Sequence, residues 1–170
     1  IMKETVKEIV SSPALSESYF KVHHKSGLTL LLYPMPQYNS VYALFGTKFG
    51  SVNQTFKTDR EEDLCTVPDG IAHFLEHKLY EQPDGDVMNQ FAALGADCNA
   101  ATGFSKTFYY FECTQNFEAS LDILLRHVFH PYFTEENVQK EKGIIVQEIN
   151  MYLDEPEYVC STELMRLLYK

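Results

Sequence analysis

Within the stretch GIAHFLEHKLYE, Gly70 to Glu81, two histidines and a glutamate fall inside five residues. On an α-helix, residues four apart lie about one turn apart on one side. The spacing lets His73 and His77 aim imidazole nitrogens at one ion, with Glu76 on the same face. Neutral imidazoles suit zinc, and a neighbouring carboxylate can take a proton from a water on that ion. The pattern H-x-x-E-H reverses the zincin motif H-E-x-x-H. Chance alone yields it in about 2% of chains of this composition, so it needs support from elsewhere. A solvated helix face is the ordinary alternative, with the apolar Ile71, Leu75 and Leu79 turned away from it.

A catalytic zinc needs a third protein ligand and an open position. Thr134 to Leu153 reads as a long helix whose apolar stripe is Val138, Ile145, Ile149 and Tyr152. Glu141 and Glu148 fall in that same stripe at heptad spacing. A carboxylate facing a core is costly unless paired or bound to metal. Metal coordination accounts for Glu148, and Glu141, two turns earlier, can orient a histidine ring. For each, a salt bridge to lysine or arginine is the alternative. Other histidines compete poorly. His127 and His130 sit at a helix C-terminus, where positive charge complements the dipole. His23 and His24 are adjacent in a strand and face opposite sides.

These groups must be positioned by a fold, and the chain predicts one. SYFKVHHKSGLTLLLYPMPQ reads as two strands joined at Lys25-Ser26-Gly27. SVYALFGTKFGSV reads as a further strand, with Gly46 and Gly50 as bulge or close-approach points. TDREEDLCTVPDG reads as a polar loop ending in a Pro-Asp-Gly turn that delivers the chain into the motif helix. A second helix is expected from about Asp86 to Leu94, stopped by Gly95. DCNAATGF and TFYYFECT read as two short β-type stretches. Asn116 to His130 is amphipathic, with Phe117, Leu121, Leu124, Leu125 and Val128 on one face and Pro131 beyond its end. Thr134 is the N-cap of the long helix, with Glu135 and Glu136 placed to complement its dipole. Asn137 stands where a capping box wants glutamate or glutamine, so no full box is expected. Pro156 breaks this helix, and a last helical segment runs from Glu157 to Lys170 without a C-cap. The expected class is α+β: an antiparallel-dominated sheet with helices on one face.

Composition bounds the function. The 170 residues, 45% hydrophobic and 14% aromatic, suit a single domain over 1–170 or a piece of a larger one. Net charge is −10 with no basic cluster, which excludes a nucleic-acid footprint. No window is apolar enough to cross a membrane, and the N-terminus lacks the pattern of a secretory signal. Cys65, Cys98, Cys113 and Cys160 are scattered with no C-x-x-C pair, which fits reduced thiols in a cytoplasmic protein.

HFLEHKLYE, then FAALGADCNAATGFSKTFYYF, then EKGIIVQEINMY together resemble the N-terminal catalytic half of the insulinase/pitrilysin peptidases. That group includes the mitochondrial processing peptidase. The resemblance runs from the Tyr19 hairpin to the last helix, and the wording is most similar to a bacterial cytosolic subgroup linked to aminopentanol modification of elongation factor P. It implies a half-domain like that of the processing peptidase, truncated at its C-terminus. It implies Zn2+ held by His73, His77 and Glu148, Glu76 as general base, and Glu141 as the supporting glutamate. It also implies that Asn99 and Ala100 pair with the backbone of an extended peptide substrate. Ala101, beside them, replaces the family's usual aromatic residue. Such peptidases enclose substrate between two halves, so a missing C-terminal half or a homologous partner subunit would supply the substrate clamp. Self-association of the exposed fragment is a further expectation. A non-catalytic or modification-associated subunit that binds a peptide or protein is the competing reading. A closed structural zinc site is disfavoured because the cysteines are not spaced for metal.

Overall fold

The computed structural model describes residues 6–58 and 62–169. Part of the expected polar loop before the motif helix, residues 59–61, lies outside the described residues. The fold is α+β, and every strand pairing is antiparallel. The chain divides into two compact units, at Asn39 and Ser40.

The first unit is a meander of β1 (Val6–Ser12), β2 (Glu17–His23) and β3 (Thr29–Leu32). The expected hairpin is β2–β3, turning where Gly27 adopts a φ of 95°. Strand β1 was not anticipated, because VKEIVSS has no clear alternation of apolar and polar residues. Its exposed side chains need none. Lys21 reaches Glu8 at 3.1 Å and holds its carboxyl below the usual range.

The second unit carries the chemistry. Its main sheet has the order β4-β10-β9, formed by β4 (Val41–Thr47), β9 (Asp97–Thr102) and β10 (Thr107–Cys113). Period-two alternation sends Thr107, Tyr109, Phe111 and Cys113 of β10 inward. There they meet helices α1 (Ile71–Leu79), α2 (Val87–Ala93) and α3 (Phe117–Phe129) through Leu79, Val87, Phe91, Ile123 and Leu124. Burying each such large apolar side chain stabilises by about 1.5–3 kcal/mol. The opposite side of β4 leaves Tyr42 and Leu44 exposed, so the helices cover one face of this sheet. Two small hairpins, β5–β6 (Thr55–Phe56, Cys65–Thr66) and β7–β8 (Glu81–Gln82, Gly85–Asp86), flank α1 in sequence. Helices α4 (Glu135–Leu153) and α5 (Pro156–Leu168) complete the unit, and Pro156 begins α5 at a position that needs no N–H.

Several local expectations are corrected. Asn137 does close a capping box: its side-chain oxygen accepts from Thr134 N at 2.9 Å while Thr134 Oγ1 accepts from Asn137 N at 3.1 Å. A carboxamide carries the one oxygen the reciprocal bond requires. On α3, Phe117, Leu121, Leu124 and Val128 pack on the core as expected, but Leu125 is exposed and Ser120, Ile123 and His127 are buried as well. His127 is therefore packed among Tyr80, Phe91 and Tyr109 rather than charged at a helix end, and burial holds its imidazole below the ordinary value. The α4 stripe is core-facing only in its first half, since Glu141 is buried while Ile149 and Tyr152 are exposed. Gly46 sits in an unbroken register as an ordinary strand residue. Gly50 is a true close approach, where any Cβ would overlap the backbone of Gly103, Phe104 and Lys106.

Candidate metal centre

The motif lies on α1, entered from Gly70, whose φ of 77° permits the sharp turn out of the Pro68-Asp69 segment. Ala72 and Leu79 are buried, His73 and His77 face α4, and Glu76 turns to β9. His73 Nε2 and His77 Nε2 lie 3.2 Å apart. Glu148 of α4 joins them, with Oε1 3.6 Å from His73 Nε2 and Oε2 3.4 Å from His77 Nε2. Behind this triangle, His77 Nδ1 is 2.9 Å from Glu141 Oε1. Among the described residues, neither carboxylate pairs with lysine or arginine.

Hydrogen-bond chemistry gives the triangle a meaning. An ionised carboxylate only accepts, so His77 Nδ1 is the donor to Glu141. In the neutral ring Nε2 then carries a lone pair, aimed at another imidazole nitrogen and a carboxylate oxygen. With His73 in the tautomer that leaves its Nε2 lone pair free, three acceptors converge here, and a cation between them relieves their repulsion. Tetrahedral zinc with bonds of about 2.0–2.1 Å separates its ligand atoms by about 3.3–3.4 Å. The 3.2 Å between the two Nε2 atoms is near that value, one ligand atom from each of His73, His77 and Glu148 lies within 4.8 Å of the others, and the donor set, two imidazoles and a carboxylate, is one zinc accepts. His73, His77 and Glu148 form the candidate metal-binding group among the described residues.

Glu76 points beside this group. Its Oε2 accepts from Thr102 Oγ1 at 2.7 Å. Tyr80 and Tyr109 lie close by. Burial above all, then Cys98 and the Glu76 charge, raise the Tyr80 phenol far above its ordinary value; burial and then Glu76 do the same to Tyr109. Both phenols therefore keep their protons.

Asn99, Ala100 and Ala101 lie on β9, the last strand of its sheet, against which α1 packs. Asn99 Oδ1 accepts from Ala100 N at 2.8 Å. Burial pushes the nearby Cys98 thiol up to about 11, Cys98 is outside the candidate metal-binding group, and all four cysteines are free. Sequence reasoning passed over Thr102. Alternation along β9 would have found it, since Thr102 shares a face with Ala100 two residues earlier.

Residues 66–170 match the family described as Insulinase (Peptidase family M16). A Bacillus subtilis (strain 168) protein named uncharacterized zinc protease YmfH is 45% identical over 156 residues, covering 92% of this chain and 36% of its own length. A Rickettsia felis protein named uncharacterized zinc protease is 33% identical over 86% of this chain and 34% of its own. The crystal structure of an M16-like peptidase from Alicyclobacillus acidocaldarius superposes with a TM-score of 0.81 at 40% identity, over 98% of this chain and 36% of that one. Pitrilysin shares the fold, at a TM-score of 0.64 and 21% identity, over 87% of this chain and 16% of that one. The chain belongs to the M16, or insulinase, family of peptidases. It spans about a third of the length of the bacterial relatives just named.

Proposed function

We propose that this chain is the catalytic portion of a zinc-dependent endopeptidase acting on extended peptides. The observation that carries the reading is the convergence of His73, His77 and Glu148 with Glu76 beside them. In this reading His73, His77 and Glu148 hold the ion, and Glu141 fixes the His77 ring so that Nε2 faces inward. Zinc, when bound, supplies Lewis acidity towards the scissile carbonyl and makes water a stronger acid. Glu76 takes the proton of the attacking water and returns one to the leaving amine. The edge of β9 at Asn99, Ala100 and Ala101 receives the substrate as an added strand, with main-chain bonds providing affinity. Ala101, being small, leaves room for a bulky substrate side chain. The substrate clamp comes from a C-terminal half or a homologous partner subunit, and the protein works in the cytoplasm.

Glu76→Gln tests this. The variant should keep its zinc and lose at least about a hundredfold in peptide hydrolysis. Retained hydrolysis would remove Glu76 from the mechanism. Zinc bound with no hydrolysis by the unmodified protein would favour a subunit that only binds peptide.

A further inference from the structure

We propose that Thr102 is the positioning residue for Glu76. The inference rests on the reading of Glu76 as the base and deepens it.

Two hydroxyls and one carbonyl form a chain of contacts that ends on Glu76, with a hydrogen bond at each end and no proton left between the hydroxyls. Thr107 Oγ1 donates to the Phe49 carbonyl at 2.8 Å. A carbonyl only accepts and a hydroxyl has one proton, so Thr107 has only lone pairs left to offer. Thr102 Oγ1, 3.4 Å away, cannot receive a proton from it. The Thr102 proton thus has two acceptors to choose between, the distant Thr107 oxygen and the Glu76 carboxylate at 2.7 Å. The shorter, charge-assisted bond wins. This is the hydrogen bond found for the Glu76 side chain among the described residues, so it decides which way the carboxylate is turned.

The chain is anchored in backbone. Thr102 and Thr107 are directly paired across β9 and β10, at the last rung before the connecting turn. That turn is held by Gly103 N to Lys106 O at 2.9 Å, and by Ser51 N and Val52 N bonding to the carbonyls of Gly103 and Phe104. Gly50, whose missing side chain allows this approach, directly follows Phe49. Thr107 is buried, so water does not compete for its proton. A carboxylate on one element is thereby referenced to the sheet that carries the proposed substrate strand. Misplacing a reacting group by about 1 Å can cost about a hundredfold in rate.

The test uses Thr102→Val, which keeps the β-branched shape without the hydroxyl, and Thr102→Ser, which restores it. In the metal-free protein, a double-mutant cycle of Thr102→Val with Glu76→Ala on the unfolding equilibrium should show a coupling of about tenfold. In the zinc-loaded protein, with a quenched fluorescent peptide that the unmodified protein cleaves, Thr102→Val should lower kcat about 10- to 100-fold. KM and zinc content should stay unchanged, and Thr102→Ser should recover most of the loss. An additive cycle overturns the proposal, as does an unchanged kcat or a loss of zinc alongside activity. If the zinc-loaded unmodified protein cleaves no peptide, the peptidase reading falls and takes the catalytic sense of Thr102 with it. The cycle then still reports whether the hydrogen bond exists, so the two failures are distinct.

Discussion

His77 Nδ1 donates to Glu141 Oε1 at 2.9 Å, tying the motif helix to α4 through a ring whose other nitrogen faces Glu148. The buried Glu141 carboxylate sets the tautomer of His77 and makes its Nε2 a better donor to a metal. Glu141→Gln keeps the shape but gives up the charge. Its zinc affinity should fall about 10- to 100-fold in a competitive chelator titration, with the helices still folded. Unchanged affinity would make Glu141 a packing residue only.

Glu148 lies far from the motif in sequence, so its membership in the site is the sharpest claim about metal. Elemental analysis after dialysis should find about one zinc per chain, lost in both His77→Ala and Glu148→Ala. Zinc that survives Glu148→Ala would place the third ligand elsewhere.

Lys78, next to His77, is fully buried, with its Nζ 2.6 Å from Glu81 Oε2. The bond to Lys78 in turn holds the Glu81 carboxyl below its usual value. Glu81→Gln strands a buried ammonium and should destabilise by about 2–3 kcal/mol in urea unfolding, the partial exposure of Glu81 softening the cost. Lys78→Met removes the charge itself and should change stability by less than about 1 kcal/mol. Equal losses from the two would contradict this account.

His127 provides a pH signature. Its Nδ1 donates to the Ile123 carbonyl at 3.0 Å, while Nε2 is buried without a partner among the described residues. Burial lowers its folded-state pKa, so below the ordinary imidazole value of about 6.5 the unfolded chain binds a proton that the folded chain refuses. Stability should therefore fall as pH drops from about 6.5 towards the lower folded value, and be insensitive to this group above it. His127→Phe should flatten that part of the curve in urea midpoints taken between neutral and mildly acidic pH. An unaltered slope would assign the acid sensitivity to other groups.

Much of this was legible in the residues. Helical period alone put His73, Glu76 and His77 on one face, because side-chain direction on a helix follows from local geometry. The carboxylate in the α4 stripe pointed to Glu141, which is buried, while Glu148 lies beside the exposed Ile149 and Tyr152, where the same premise does not hold. The β2–β3 turn, the Gly70 entry and the α2 stop at Gly95 were readable because glycine at positive φ is a local requirement. What pattern alone missed was non-local. Strand β1 exists because β2 offers it a full register, and nothing in VKEIVSS states that. His127 is neutral and buried because three aromatic rings, Tyr80 just after α1, Phe91 of α2 and Tyr109 of β10, close around it, overriding its place near a helix end. Thr102 meets Glu76 only because the β9–β10 register and the Gly50 contact bring a sheet hydroxyl to a helix carboxylate. The sequence by itself determined the types of groups and their local facing. The tertiary structure decided their partners, because distances between elements are set by packing and register rather than by spacing along the chain.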